Sequence, residues 1–132
     1  MCTSFKAEIL DEGHDLVADT LKIALYTSSA TLGAGTTAYS TNNEISGTGY
    51  SAGGVTLTNK VVSTTGTTAH FDADDPTWTS ASFTANGALI YNSTNSDKAI
   101  AVLAFGCYFT VASGTFRIVF PAAGATGIIR ID

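Results

Sequence analysis

The chain has 132 residues and a formal net charge of −5 at pH 7, and Lys, Arg, Asp and Glu together make up only 13% of it, against roughly a quarter in ordinary soluble domains. Its six basic residues stand singly along the sequence, so they form no basic patch of the kind that binds nucleic acid. No apolar run reaches the roughly 18 residues of a membrane helix, and the N-terminus lacks the features of a secretory signal. We therefore expect neither a nucleic-acid partner nor a membrane partner.

The apolar share of 45% is sufficient for one hydrophobic core in a chain of this length. No internal repeat or linker divides the sequence, so we expect residues 1–132 to form a single domain. Cys2 and Cys107 have no metal-ligand spacing and imply no disulfide. Two such cysteines suit a protein made in a reducing cytoplasm.

Residues 3–13 predict a short N-terminal helix. Ser4 is a candidate N-cap, and Gly13 is suited to the left-handed conformation that ends a helix. Phe5 and Ile9 stand one turn apart on the same face. Because an isolated helix this short is unstable in water, it has to dock on another surface.

Residues 28–54 form a long stretch rich in Ser, Thr, Gly, Asn and Ala. Loops of this length are uncommon inside compact domains and tend to be functional. Apart from Leu32, the large apolar side chains in the loop are Tyr39, Ile45 and Tyr50. Burial of these side chains against their own domain is the favoured interpretation, and contact with a neighbouring subunit is the alternative.

Short strands at regular spacing follow, as in an all-β sandwich or barrel. Alternation in residues 78–85 places Trp78 and Phe83 on opposite faces, and residues 92–98 predict a turn. The nearly continuous apolar run 99–105 predicts a central strand buried on both faces. We expect an antiparallel β-sandwich, jelly-roll-like or immunoglobulin-like, with the short N-terminal helix. The expected strands are residues 21–27, 55–62, 68–73, 78–85, 88–92, 99–105, 115–120 and 128–131.

Residues 49–53 match the GxSxG pattern of a hydrolase nucleophile elbow, with Ser51 as the nucleophile. That motif requires a sharp turn between a strand and a helix, whereas here a glycine-rich loop precedes Ser51 and a strand follows it. Neither of the two histidines, His14 and His70, is placed beside Ser51 by its own pattern. A flexible turn is the favoured interpretation, and we predict no enzymatic activity.

Three carboxylates, those of Asp72, Asp74 and Asp75, could supply oxygen ligands to calcium. Their spacing matches no known calcium loop, and a turn whose Asp side chains bond the neighbouring backbone explains the cluster as well. We predict no metal site and no cofactor. Residues 92–94 match the glycosylation pattern but are interpreted as a polar turn.

Four aromatic side chains could form a platform for a sugar ring, although aromatic residues of a β-sandwich more often lie in the core. These residues are Trp78, Tyr91, Tyr108 and Phe109. A receptor- or carbohydrate-binding module therefore stays as an alternative function.

Several segments, among them SFKAEIL at residues 4–10, residues 13–33, residues 36–54 and GALIYN at residues 87–92, resemble small virion-associated proteins of tailed bacteriophages. The resemblance covers most of the chain. It implies a structural component of the particle, assembled in the host cytoplasm and located in the virion. It assigns no catalytic or binding residue.

From this resemblance we expect a capsid decoration or cement protein that binds the head shell, with a neck, tail or fibre-anchoring component as the alternative. The implied partners are the major capsid protein or neck and tail proteins, together with further copies of this chain. The N-terminal segment and the long loop are the parts free for such contacts, and burial at an interface would offset the entropy lost when they become ordered. The candidate interface residues are Phe5, Ile9, Leu10, Tyr39, Ile45 and Tyr50.

Overall fold

The structure is a computed structural model that describes residues 1–122, 124 and 126–132. These residues contain seven strands and one helix. The elements are α1 (Thr3–Leu10), β1 (Leu21–Tyr26), β2 (Val55–Thr56), β3 (Val61–Thr65), β4 (Thr68–Asp72), β5 (Thr77–Asn92), β6 (Lys98–Arg117) and β7 (Ile129–Ile131). Among these residues no helix has the length and apolar character needed to cross a membrane.

The strands form two antiparallel sheets, which confirms the expected all-β sandwich with a short N-terminal helix. One sheet has the order β2-β1-β5-β6 and the other β3-β4-β7. Both sheets contribute side chains to one apolar core, which includes Ile23 of β1, Leu89 of β5, Phe71 of β4 and Ile129 of β7. The first sheet supplies most of the core because β1 and the second half of β5 are buried almost throughout.

Helix α1 begins at Thr3 as predicted, but it ends earlier and its caps are not the predicted residues. Cys2 occupies the N-cap position, and the Ser4 hydroxyl is buried with no hydrogen-bond partner among the described residues. At the other end Glu12, not Gly13, takes the left-handed conformation (φ 55°). The Gly13 amide donates to the Glu8 carbonyl at 2.7 Å, closing the last turn. Gly13 permits this approach because a Cβ there would lie 2.9 Å from the same oxygen.

The predicted strand over residues 55–62 is two strands. β2 pairs with β1 in the first sheet, whereas β3 pairs with β4 in the second. Between them Asn59 has a positive φ of 50°, which interrupts the extended backbone. The chain therefore changes sheets at a point where the apolar pattern alone shows a single strand.

The hairpin of β5 and β6 dominates the first sheet, and the turn predicted at residues 92–98 joins its strands. β6 was expected at the centre of the sheet, but it is an edge strand. Its first residues are nevertheless buried because the N-terminal segment covers them, with the Cys2 amide donating to the Ile100 carbonyl at 2.9 Å. The Ala99 amide likewise bonds the Thr37 carbonyl at 2.9 Å.

Trp78 lies on the same face of β5 as Phe83, contrary to the alternation expected from the sequence. The pairing of β5 with β6 shifts register between Trp78 and Ala81, and Ser80 has a positive φ of 48°. This bulge adds a residue to one strand and so reverses the faces beyond it. As a result Trp78 is buried, with its ring in edge contact with Phe83 at 6.5 Å.

Candidate functional site

The long loop is held on its own domain by the Glu44 carboxylate. One carboxylate oxygen accepts hydrogen bonds from the Tyr50 hydroxyl (2.6 Å) and the Gly53 amide (2.7 Å), and the other accepts from the Tyr39 hydroxyl (2.7 Å). The Tyr50 oxygen in turn accepts from the Leu25 amide of β1 at 2.9 Å. Burial, followed by the bond to the Glu44 anion, raises the pKa of both tyrosines far above their usual range.

Four of the six candidate interface residues therefore face this chain's own interior. Phe5 and Ile45 are buried in the core. Tyr39 and Tyr50 are half-buried, with their hydroxyls bonded to Glu44. Phe5 and Ile45 are thus covered by the chain itself, and the hydroxyls of Tyr39 and Tyr50 are already bonded within it.

The other two candidates lie at the surface. Leu10 is 88% exposed, at the last residue of α1. Ile9 is half-buried and lines a small apolar cleft of about 60 Å³ together with Val62 and Ile131. Val62 and Ile131 are each 51% exposed. This Ile9 cleft joins α1 to both edges of the second sheet, so one partner could contact all three elements there.

A second apolar surface lies on what we call the distal ribbon, residues 77–86 of β5 paired with residues 109–117 of β6. It extends beyond β1, because β1 pairs only with residues 87–92 of β5. Ring contacts run along one face of this hairpin from the buried core to solvent. They join Trp78 to Phe116 (5.8 Å), Phe116 to Phe83 (5.2 Å) and Phe105 to Phe109 (5.9 Å).

The outer end of this aromatic row is open. Phe109 is 49% exposed, and a groove of about 210 Å³ is lined by Phe105, Phe109, Phe116, Arg117 and Ile118. Contiguous exposed apolar patches mark interaction sites, so this groove is a candidate contact surface. The sequence pattern suggested Phe109 only as part of a sugar platform and none of these residues as a protein interface, because aromatic side chains in a strand pattern usually indicate core.

A bulge in β6 lies among its aromatic residues. The register moves from Ala85 opposite Phe109 to Gly87 opposite Ala104, which leaves residues 105–108 without partners in β5. Gly106 has a φ of 79° within this segment. A glycine inside an apolar run was the one sequence signal for the bulge.

Tyr108, in the bulge, is 70% exposed. It lines a shallow cleft of about 260 Å³ with Ser28, Thr84 and Asn86. Of the four aromatic residues considered for a sugar platform, Trp78 and Tyr91 lie in the core, whereas Tyr108 and Phe109 do not. Tyr108 lies beside the hydroxyls of Ser28 and Thr84 and the amide of Asn86, which suit a sugar.

Ser51 of the GxSxG pattern is exposed, and in the described part of the chain neither histidine bonds to it. His14 is bonded to Glu8 and Asn92, and His70 to Thr65. The glycine that directly follows the pattern, Gly54, is required by the fold. At Gly54 (φ 76°) a Cβ would lie 1.8 Å from the Ile23 carbonyl oxygen, so the backbone approaches β1 too closely for a side chain.

The three clustered aspartates point to separate partners. Asp72 accepts from the Ala73 amide (2.9 Å), and Asp74 bonds the Asn59 side chain. Asp75 accepts from the Phe120 amide (2.8 Å) and from Arg117. Within the described residues no group of three or more Asp, Glu, His or Cys side chains could hold a metal ion.

A buried polar network fixes the N-terminal segment on the hairpin turn. The fully buried Asn92 amide donates to Asp19 (2.7 Å) and to His14 Nδ1 (3.0 Å). His14 therefore carries its proton on Nε2, which donates to Glu8 at 2.8 Å. The Asn92 bond is the main reason that the pKa of Asp19 lies below its ordinary value. Because the Asn92 nitrogen is buried and bonded, residues 92–94 cannot accept a glycan in this fold.

The Ile9 cleft and the distal ribbon are thus two surfaces suited to contact with another macromolecule. Both present apolar side chains from more than one structural element. Comparisons of the chain with protein-family models, with curated protein sequences and with solved structures gave no match.

Proposed function

We propose that this chain is a non-enzymatic structural protein of a tailed bacteriophage particle, and that it decorates the capsid by binding the head shell. The resemblance of its segments to virion-associated proteins supports this role. The low share of charged residues, 13%, supports it too, since a surface made of hydroxyls, amides and apolar groups suits durable packing against other subunits.

The observation that carries the proposal is the exposed end of the aromatic row. Phe109 is 49% exposed beside the apolar groove of the distal ribbon. Burial of one such side chain contributes on the order of 1.5–3 kcal/mol before the costs of association. On a symmetric shell the same contact is repeated many times. If the copies are linked to one another, their contacts act together and the combined binding is tighter than that of one copy.

Particles imaged at a resolution that locates this protein provide the test. A decoration protein is expected in a copy number close to that of the shell protein, and heads lacking it should break at a lower temperature. Phe109→Ser should reduce occupancy on heads. Val17→Ser, which truncates another half-exposed apolar side chain, should leave occupancy unchanged. Full occupancy by the Phe109 variant would exclude the distal ribbon as the head-binding surface.

A neck, tail or fibre-anchoring component is the alternative within the same class. It predicts only a few to some dozens of copies, located at one vertex or along the tail. The same images separate the two roles. Absence of the protein from purified particles would refute both.

Carbohydrate binding is a second candidate function, favoured by the position of Tyr108. Its ring is 70% exposed beside Asn86 and Thr84, an arrangement in which a sugar ring can stack while its hydroxyls bond polar side chains. Saturable binding on a glycan array that Tyr108→Ala abolishes and Phe109→Ser leaves intact would establish this function. Absence of binding by the wild-type protein would exclude it for the glycans tested.

A further inference from the structure

The outer edge of β6 is open along the distal ribbon. Its first residues are covered, by Cys2 at Ile100 and by the bridge from Ala38 to Lys98. From residue 109 to residue 117, the backbone of β6 bonds no strand other than β5 within the described part of the chain. An open strand edge is a template for pairing with another strand.

The direction of the free backbone groups follows from the alternation of an antiparallel ladder. The Ser82 amide donates to the Thr48 carbonyl at 2.9 Å, on the side of β5 away from β6. Phe83 therefore points its backbone groups toward its β6 partner, Val111. The neighbours of Val111, Thr110 and Ala112, then point their N–H and C=O groups out to the open edge.

Proteins block unwanted pairing with charges and bulges on edge strands. This edge has a bulge at Ser113 (φ 49°) but no charge. Residues 99–116 contain no Lys, Arg, Asp or Glu. The cations at either end are already matched within the chain: Lys98 lies 3.7 Å from Glu8, and Arg117 bonds Asp75. No unpaired charge would therefore repel an identical edge that approaches in the opposite direction.

We infer that residues 109–117 pair antiparallel with the same edge of a second copy, joining the two hairpins into one continuous sheet. Identical edges meet about a two-fold axis, so one surface serves both copies, and Phe109 lies at the start of the paired segment. This inference deepens the proposed function and rests on it for its biological setting, since it names one partner of the assembled protein.

The expected dimer is weak. Nine residues at up to about 3.4 Å each, shortened by the bulge at Ser113, give a contact of at most about 30 Å. With aromatic side chains beside it, such a contact buries on the order of 1,000 Å² in total, the lower limit for a specific interface. We therefore expect dissociation in the micromolar range, so that neighbouring copies pair firmly only when a particle concentrates them.

Sedimentation velocity on the full chain, from about 1 μM to about 500 μM, covers the range in which such a dimer dissociates. The wild-type protein should shift from monomer to dimer across this range. Thr110→Pro removes an outward-facing N–H and no backbone bond to β5, so it should stay monomeric; like the valine control, it also loses the hydroxyl bond to Thr84. Thr110→Val, which keeps that N–H and loses only the hydroxyl bond to Thr84, should dimerise like the wild type.

Two further measurements keep the inference testable if the proline variant does not fold, as judged by circular dichroism and Trp78 fluorescence. Ala112→Lys places a charge on the exposed edge and should also give a monomer. In wild-type protein, hydrogen exchange at the Thr110 and Ala112 amides should slow as concentration rises. A monomeric wild type at every concentration, or dimers that Thr110→Pro and Ala112→Lys leave intact, would overturn the inference.

Failure of the pairing and failure of the proposed function can be told apart, because self-association is measured on the purified protein without particles. A dimer that is absent from virions would refute the structural role and leave the pairing standing. A wild-type monomer whose Thr110→Pro variant loses head binding would show that a strand of the shell protein uses the edge, and would overturn pairing between copies.

Discussion

Glu44 and Tyr50 are joined by a hydrogen bond of 2.6 Å, and this contact closes the long polar loop on its own domain. The same carboxylate binds Tyr39 and the Gly53 amide. Tyr39 also stacks on Tyr91 of β5, with ring centroids 4.5 Å apart. A segment without regular secondary structure is therefore ordered by one anion and its donors.

Glu44→Ala should destabilise the fold by about 2–3 kcal/mol, because it leaves two half-buried hydroxyls and one amide without their charged acceptor. Glu44→Gln keeps the side-chain volume and one acceptor oxygen, so its cost should be about 1 kcal/mol. Urea unfolding followed by Trp78 fluorescence measures both. Equal stabilities for Glu44→Ala and the wild type would show that the loop does not depend on this anion.

The buried tyrosines should make the protein sensitive to alkali. Burial raises the pKa of Tyr26 and of Tyr91 to about 12, from about 10 in an unfolded chain. Above pH 10 the unfolded state loses these protons first, so stability should fall as pH rises toward 12, by up to about 1.4 kcal/mol per pH unit for each tyrosine. Below pH 10 their contribution is constant.

Unfolding free energies measured from pH 8 to pH 12 test this dependence. Tyr26→Phe removes one titrating group together with the hydroxyl bond to the Ser40 carbonyl. It should lower stability at pH 8 and flatten the decline above pH 10. A decline of unchanged slope in Tyr26→Phe would assign the alkaline sensitivity to other groups.

Local patterns are enough to predict part of this fold. The alternating and apolar segments predict the β-sandwich, and the polar run at residues 92–98 predicts the hairpin turn that the structure contains. The helix is correctly placed at its first turns, since Phe5 is its buried anchor. These features depend on residues close in sequence, which is where periodicity and turn chemistry carry information.

Features that depend on pairing between distant segments could not be predicted in this way. Whether β6 is central or at an edge depends on which strands lie beside it, and its apolar run is the same in both cases. The face of Trp78 depends on a bulge at Ser80, a residue type without a strong preference for positive φ. For the same reason the exposure of Phe109 could not be predicted from its apolar strand pattern. Ile9 and Leu10, at the end of a short helix, were predicted as interface residues and do lie at the surface.

Acid should destabilise the protein through Asp75. The bond from the Phe120 amide, and then the contact with Arg117, hold the pKa of this carboxyl below its ordinary value. The stabilisation is therefore complete above the unfolded pKa, near about 4, and is lost as pH falls through the lower folded value. Asp75→Asn should be less stable than the wild type at pH 7, and the difference should shrink at pH 2.

Arg117→Gln separates the two causes of this shift. It removes the cation and keeps the Phe120 amide bond, so it should retain most of the acid dependence that Asp75→Asn removes. Thermal unfolding from pH 2 to pH 7 measures all three proteins. If the wild type and Asp75→Asn have parallel pH profiles, Asp75 is not a source of acid sensitivity.

Substitutions at Gly54 and Gly66 can test how closely the loop must approach β1, because the two glycines share a positive φ and only Gly54 lies against β1. Both have positive φ, 76° and 61°, so Ala at either position costs about 1–2 kcal/mol of backbone strain. A Cβ at Gly66 meets nothing within 4 Å, whereas at Gly54 it would lie 1.8 Å from the Ile23 carbonyl oxygen. Gly54→Ala must therefore displace β2 or the loop from β1, with an additional cost of several kcal/mol. Urea unfolding should show Gly66→Ala as mildly destabilised and Gly54→Ala as severely so, and equal losses would mean that the loop withdraws from β1 without penalty.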